Sequence, residues 1–249
     1  MIKPRRRWLA LPAALVLALP VTACDSGGDS SGSNAPAANA PATTTAPAKP
    51  ADSGLYFYPP VEGATLEYEL GGVVSGTTSV TVDSVTEGGD GRTVTVTEKG
   101  TAPAAKREFV TRADGGLTID IGAFAASAAG FTVEGAGEDL SVPPAADLEA
   151  GKKSTGRTAV EVTGPGADGG SQPVTYTVSS TGTESVTVPA GTAEAYKIDL
   201  DLDLGAGFAG VTQASGTFWL KPGFGLVKQE VTIAGFTLTS ELAKTSVPL

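Results

Sequence analysis

The sequence predicts an all-β fold, an antiparallel and strongly curved sheet or half-barrel built from meandering hairpins, with little helix. Three observations predict it. Apolar and polar residues alternate at period two over most of the chain after Gly54, the spacing that sends successive side chains to opposite faces of a strand. Threonine and valine fill those runs, as suits a pleated surface. Glycine-rich clusters then interrupt them at hairpin spacing.

In AYKIDLDLDL, Tyr196, Ile198, Leu200, Leu202 and Leu204 fall on one face, with Lys197, Asp199, Asp201 and Asp203 on the other. This is a long strand with one wet face. The same alternation runs through Leu66, Tyr68 and Leu70; Val80 and Val82; Val94 and Val96; Val174, Tyr176 and Val178; and Phe236, Leu238 and Leu242. Turns are expected at 88–91 (GGDG), 164–170 (GPGADGG) and 221–225 (KPGFG). In the last, Pro222 presets φ and Gly223 tolerates positive φ, which suits the two central positions of a type II turn. Hairpin following hairpin makes the sheet antiparallel. Helix is expected only in AFAASAAGF, 123–131, and as one turn within AADLEAGKK, 145–153.

Residues 107–117, REFVTRADGGL, echo 216–226, GTFWLKPGFGL, sharing a phenylalanine, a base, a glycine and a leucine. Further upstream, Val61-Glu62-Gly63 corresponds to Leu148-Glu149-Ala150-Gly151 in the same order. Two similar half-sheets are one reading. Chance likeness between Thr/Gly/Val-rich hairpins is the other.

The first 23 residues read as an export signal: a basic start (Lys3, Arg5, Arg6, Arg7), an apolar run from Trp8 to Leu19, and small residues at the end. The run makes roughly 18 Å of helix, too short for a bilayer that takes about 20 residues. Arg5-Arg6-Arg7-Trp8-Leu9 also has a twin-arginine look. The only cysteine of the 249-residue chain, Cys24, follows directly. Val21-Thr22-Ala23-Cys24 resembles the bacterial lipobox, and this resemblance implies a diacylglycerated Cys24 at the mature N-terminus. An ordinary cleavage site with a leftover thiol is the competing reading. Two acyl chains give stable anchoring where one is marginal.

Residues 24–53 carry the expected lipidated N-terminus and a linker, DSGGDSSGSNAPAANAPATTTAPAKPADS, whose composition cannot offset ordering entropy by burial. As a flexible coil it averages roughly 30 Å, and stretched it reaches about 90 Å. Thr43-Thr44-Thr45 among prolines is a candidate glycosylation site beside the plainer linker reading. Residues 54–249 form a single β-domain with enough chain for one core.

Charge and composition exclude several classes. Four of the 17 basic residues and none of the 27 acidic ones precede Cys24, so the mature chain is strongly acidic and nucleic acid is not an expected partner. Histidine is absent, which removes the usual general base, the usual zinc ligand and the Ser-His-Asp and Cys-His constellations. No catalytic residue, cofactor or metal site is expected, and a hydrolase ranks last among the functional classes.

Four features invite a site reading. Asp199, Asp201 and Asp203 have the spacing that opens a calcium loop, but Gly205 is one place late and Gly210 stands where a bidentate glutamate belongs. A solvated strand face is expected instead. GAGFAG, 205–210, lacks the strand-to-helix context of a phosphate loop, and a flexible turn is expected there. Tyr56-Phe57-Tyr58 is expected to seal one end of the sheet, with partner or sugar docking as the alternative. Trp219 faces away from Phe218 and Leu220, and whichever set points inward lines any cavity.

SVTVPAGTAEAYKIDL followed by GTFWLKPGFGLVKQE resembles secreted and lipoprotein β-domains of unknown function from bacteria. YPPVEGATLEYEL is similar to their opening strand, although the aromatic usual at Leu66 is missing. The resemblance covers roughly Tyr58 to Leu242. It implies a curved sheet or half-barrel broadly similar to the LolA and LolB lipoprotein carriers and to mycobacterial lipid-binding lipoproteins, and the Ala/Gly/Thr/Val bias looks actinobacterial. It brings no catalytic residues. Two functions are therefore expected: a membrane-anchored, non-catalytic binding or interaction module facing the extracytoplasmic side, whose partners are the membrane through the diacylglycerol and an envelope protein; or a carrier holding a hydrophobic ligand in an apolar cavity under the sheet. A core filled by side chains separates the first from the second.

Overall fold

The computed structural model describes residues 54–89, 91–100, 104–123, 132–163, 170–208 and 211–249. These belong to one compact unit, Pro47–Leu249. Cys24, the export signal, the linker with Thr43-Thr44-Thr45, and residues 124–131 of the expected helix lie outside the described residues.

In chain order the strands are β1 (Thr65–Gly72), β2 (Gly76–Gly88), β3 (Gly91–Lys99), β4 (Ala105–Arg112), β5 (Leu117–Ile119), β6 (Thr132–Gly135) and β7 (Leu140–Val142). After the one-turn helix α1 (Ala145–Glu149) come β8 (Ser154–Thr163), β9 (Ser171–Val188), β10 (Gly191–Phe208), β11 (Val211–Lys221), β12 (Gly225–Ile233) and β13 (Phe236–Thr245). All pair antiparallel in one sheet of order 6-8-9-10-11-12-13-1-2-3-4-5-7, curled into a nearly closed barrel. The expected all-β fold, its meander and its single helical turn are all present.

The repeat is structural. Strands β1–β5 and β8–β12 each form a consecutive run, with β7 following β5 as β13 follows β12. Phe109 of β4 and Phe218 of β11 occupy equivalent places. The halves meet at β13 and β1 through a ladder from Leu66–Thr245 to Gly72–Leu238. The other junction lies between β7 and β8, where β7 is only three residues long. There one bond crosses, from the Ser141 N–H to the Tyr176 hydroxyl at 3.1 Å. Arg112 braces the short β7 edge, donating to Ser141 Oγ at 2.9 Å and to the Val142 carbonyl at 3.1 Å.

The segment Leu55–Tyr58 straps one end of the barrel, and all four of its residues are buried. Both equivalent hairpins hold it. Thr111 Oγ1 donates to the Leu55 carbonyl at 2.8 Å, while the Leu226 N–H donates to the Phe57 carbonyl at 2.9 Å. Phe57 stacks on Phe109, with centroids 4.6 Å apart, and tilts against Phe218 at 6.5 Å. The expected sealing role of Tyr56-Phe57-Tyr58 is what the strap performs. The KPGFG turn beside it also has the expected form: Phe224 N–H donates to the Lys221 carbonyl at 3.1 Å, and Gly223 takes φ +71°.

Inside the barrel, Leu66, Val80, Val82, Val94, Val96, Ile198 and Leu242 are fully buried. The expected inward set breaks in two places. Phe236 keeps the inward phase of Leu238 and Leu242 but sits beyond the rim, 64% exposed. Trp219, whose side the sequence leaves open, points outward and yet is buried. The cause is a bulge: Lys197 pairs with Gly182 but Ile198 with Ser180, so the skipped Thr181 transfers the alternation of β9 to the outer face. Val186 and Val188 beyond it are buried with Ala193 and Ala195 of β10. This end of the hairpin reaches β13, where the Ala190 N–H donates to the Leu242 carbonyl at 3.0 Å. It forms a flap and a second, smaller apolar layer.

Candidate functional site

Three places carry chemistry. The first is the interior. Phe57, Ile119, Val178, Ile198, Phe218 and Leu220 are among the residues around an apolar void of about 10 Å³. That is room for roughly one water and none for an acyl chain. Phe218 and Leu220, rather than Trp219, are the set that points inward. Polar groups inside are paired: the Tyr58 hydroxyl donates to Glu98 Oε1 at 2.9 Å, and Arg107 Nε donates to Glu98 Oε2 at 3.0 Å. Burial first, then the Glu98 carboxylate, hold the Tyr58 hydroxyl well above the ordinary tyrosine range. Tyr68, donating to the Leu226 carbonyl at 2.9 Å, is raised the same way. At the strap end Tyr196 donates to Glu149 of α1, and burial followed by that bond pushes its hydroxyl up to about 12. These tyrosines are structural proton donors at neutral pH.

The second is a polar cleft of about 330 Å³ where the sheet edges diverge, lined by Lys106, Arg107, Glu108, Asp120, Asp139 and two glycines. Arg112 donates its N–H to the Gly116 carbonyl across the turn into β5, so the even-numbered residues of β4 aim their backbone groups that way. Strand β5 reaches only to Phe109. The backbone edge at Lys106 and Glu108 has no strand partner among the described residues. Asp120 Oδ1 accepts the Gly122 N–H at 2.9 Å. Partial burial, then the like charge of Asp120, raise the Asp139 carboxyl above the usual carboxylate range. The cleft can accept hydrogen bonds or balance a charge. Among the described residues no three His, Cys, Asp or Glu side chains converge to hold a metal ion.

The third is the rim opposite the strap. Val73 at the β1–β2 turn is 55% exposed, and Ile233 and Phe236 at the β12–β13 turn are 39% and 64% exposed. Sequence reasoning assigned Phe236 to the core because its phase is correct. What it missed is that a strand in phase can outrun the barrel.

The acidic run of β10 lies on the wet strand face expected of it, while the glycine-rich segment after it departs from expectation. Asp199 and Asp203 lie on the outer face of β10, where Asp199 Oδ1 accepts from Thr217 Oγ1 at 2.8 Å and Asp203 Oδ1 accepts the Gly205 N–H at 2.9 Å. Where GAGFAG is expected to turn, β10 instead continues as strand through Gly205 to Phe208. Outside the barrel Trp219 Nε1–H donates to Glu184 Oε1 at 2.6 Å, and the ammonium groups of Lys197 and Lys228 lie 5.8 and 5.2 Å from its ring. No helix among the described residues is long and apolar enough to cross a membrane.

A barrel of two half-sheets, strapped at one end and packed with side chains, defines the class. The chain belongs to the DUF3108-like family, whose model matches residues 62–240. Among solved structures, a protein from Bacteroides fragilis described as exported and of YmcC-like fold is 16% identical, with a TM-score of 0.58 over 78% of this chain and 100% of that one. A protein from Parabacteroides distasonis described as a lipoprotein is also 16% identical, with a TM-score of 0.57 over 78% of this chain and 99% of that one. At these identities the likeness is one of fold. No curated protein matches the sequence.

Proposed function

We propose that the protein is a non-catalytic binding or interaction module of the cell envelope, held to the membrane by a diacylglyceryl group on Cys24 and facing the extracytoplasmic side. The observation that carries this reading is the side-chain-lined interior of the described residues, where the apolar void between Phe57, Ile198 and Phe218 holds about 10 Å³. A carrier in the manner of LolA or LolB needs a dry cavity the length of an acyl chain. Binding is then left to the outer surface. The Val21-Thr22-Ala23-Cys24 match supports the anchor, and the descriptions of the two structural relatives as exported and as a lipoprotein support the location. The absence of histidine from the whole chain supports a non-catalytic role.

Metabolic labelling with a palmitate analogue tests the anchor. The wild type is expected to incorporate label and fractionate with membranes, and Cys24→Ser is expected to lose both once its signal is removed, without unfolding. Label retained by Cys24→Ser would sink the lipobox reading. Mass spectrometry of the purified domain is expected to find no stoichiometric lipid besides the anchor. A co-purifying acyl lipid would restore the carrier.

A further inference from the structure

We infer that the rim opposite the strap is a bilayer-contacting surface, at which the β1–β2 and β12–β13 turns dip Val73, Ile233 and Phe236 into the lipid of the membrane that carries the anchor. The inference rests on the tethered reading above and names what the tethered domain touches.

The two turns form one surface. Val73 donates its N–H to the Thr237 carbonyl at 3.1 Å, and Gly72 stands opposite Leu238. Ile233 pairs with Phe236 across a two-residue turn whose central residues, Ala234 and Gly235, both take positive φ, +54° and +80°. A turn of this kind continues the strand twist and sets both apolar side chains at the very tip. Among the described residues one other large hydrophobic is exposed, Val61 beside the strap, so three of the four gather at this rim.

Charge selects the occupant. In a chain with 17 basic and 27 acidic residues, the stretches 70–82 and 231–240 contain neither kind. The β1–β2 and β12–β13 turns thus reach the rim uncharged, while Asp203 of the neighbouring β10 stands at the height of Ile233 on the outer face. These two turns themselves enter the headgroup boundary without stripping water from an ionised group. The acidic remainder of the domain does not draw it toward anionic headgroups.

The tether permits the orientation. It leaves the domain at the strap end, opposite the rim. The longest strands, 18 residues each, span at most about 60 Å at roughly 3.3 Å per residue. A linker of the composition of residues 24–53 has a contour of about 90 Å when stretched, longer than the barrel, so the anchor does not forbid the rim from facing the bilayer. Attachment through the anchor raises the local concentration of lipid, and a few side chains suffice for contact.

The test uses the mature chain in a Cys24→Ser background, carrying an N-terminal polyhistidine tag that replaces the anchor by capture on vesicles of phosphatidylcholine doped with a nickel-chelating lipid. Because tethering is then artificial, failure here is separate from failure of the Cys24 reading. An environment-sensitive fluorophore is placed on Phe236→Cys, on Val73→Cys, and on the exposed flap position Thr187→Cys as control. The expected result is a blue shift and quenching by lipid-phase nitroxide at 236 and 73 on vesicles, with 187 unchanged. Probes at 236 and 73 that stay aqueous on vesicles overturn the inference. A blue shift without vesicles that grows with protein concentration also overturns it, since the rim then packs against a second copy.

Discussion

The Ser141 N–H and the Tyr176 hydroxyl, 3.1 Å apart, join the β7 edge to β9 where the opposite junction of the halves has a seven-pair ladder with one bulge. Tyr176 reaches that position by lying across Gly156, its cross-strand neighbour. A Cβ at Gly156 would stand 2.3 Å from the Tyr176 hydroxyl oxygen and 2.4 Å from its ring. Gly156→Ala must therefore push the ring aside, and is expected to cost about 1–3 kcal/mol as overpacking does. Tyr176→Phe keeps the ring and loses one acceptor, at about 1 kcal/mol. Urea unfolding separates the two, and the Ser141 amide should exchange faster in both. An unchanged Ser141 amide in Tyr176→Phe would show that the bond does not hold the seam.

The strap should contribute more than its length suggests. Phe57 is buried between Phe109 and Phe218, one from each half. Phe57→Ala leaves a ring-sized void at the point where the halves converge, and should cost about 3–5 kcal/mol. Phe57→Leu should recover part of that loss by refilling the space. A Phe57→Ala urea midpoint equal to that of the wild type would mean that the strap rests on the barrel rather than completing it.

These residues also show what the sequence reveals and what it hides. Alternation in Leu66, Val80, Val94 and Val174 identified inward faces because one face of each strand is buried and the other wet. The echo between residues 107–117 and 216–226 was legible because the hairpins share a task, gripping the strap. Thr181 hides the flap: the run of even-numbered residues continues from Val178 to Val186 in sequence, while the skipped residue reverses the face in space. Phase says which way Phe236 points and nothing about whether the barrel extends that far. The uncharged stretches at the rim were legible in composition, but only the pairing of Val73 with Thr237 brings them together. Cys24, the sharpest sequence signal, lies outside the described residues.

Trp219 should report the flap directly, because the only other tryptophan, Trp8, lies within the expected export signal. Val186 is buried on the face that the bulge turns outward, in phase with Glu184, the acceptor of the Trp219 indole N–H at 2.6 Å. Val186→Asp buries a charge there and should lift the flap. The expected outcome is a red-shifted Trp219 emission with the far-ultraviolet circular dichroism of the sheet retained. Glu184→Gln, which keeps an acceptor for the indole, should leave the emission nearly unchanged. Loss of the whole β signal in Val186→Asp would show that the flap and the barrel unfold as one unit.

The cleft makes a prediction about pH whose sign is fixed by Asp139. Its carboxyl is raised by partial burial and then by Asp120, so the folded protein holds that proton more tightly than the unfolded chain does. Ionisation therefore opposes folding above the folded pKa, and the penalty is relieved as pH falls through it. Asp139→Asn removes the charge and should stabilise the protein at pH 7. The site is mostly exposed and solvent screens it, so the gain is at most about 0.5 kcal/mol. The advantage should vanish below about pH 3.9, the ordinary aspartate value, where the wild type is protonated in both states. Asp120→Asn should bring the Asp139 titration, followed by NMR, back toward that value. A destabilised Asp139→Asn at pH 7 would mean instead that the carboxylate is paired within the cleft, most directly by Lys106 or Arg107, and that the cleft holds its charges as a closed set.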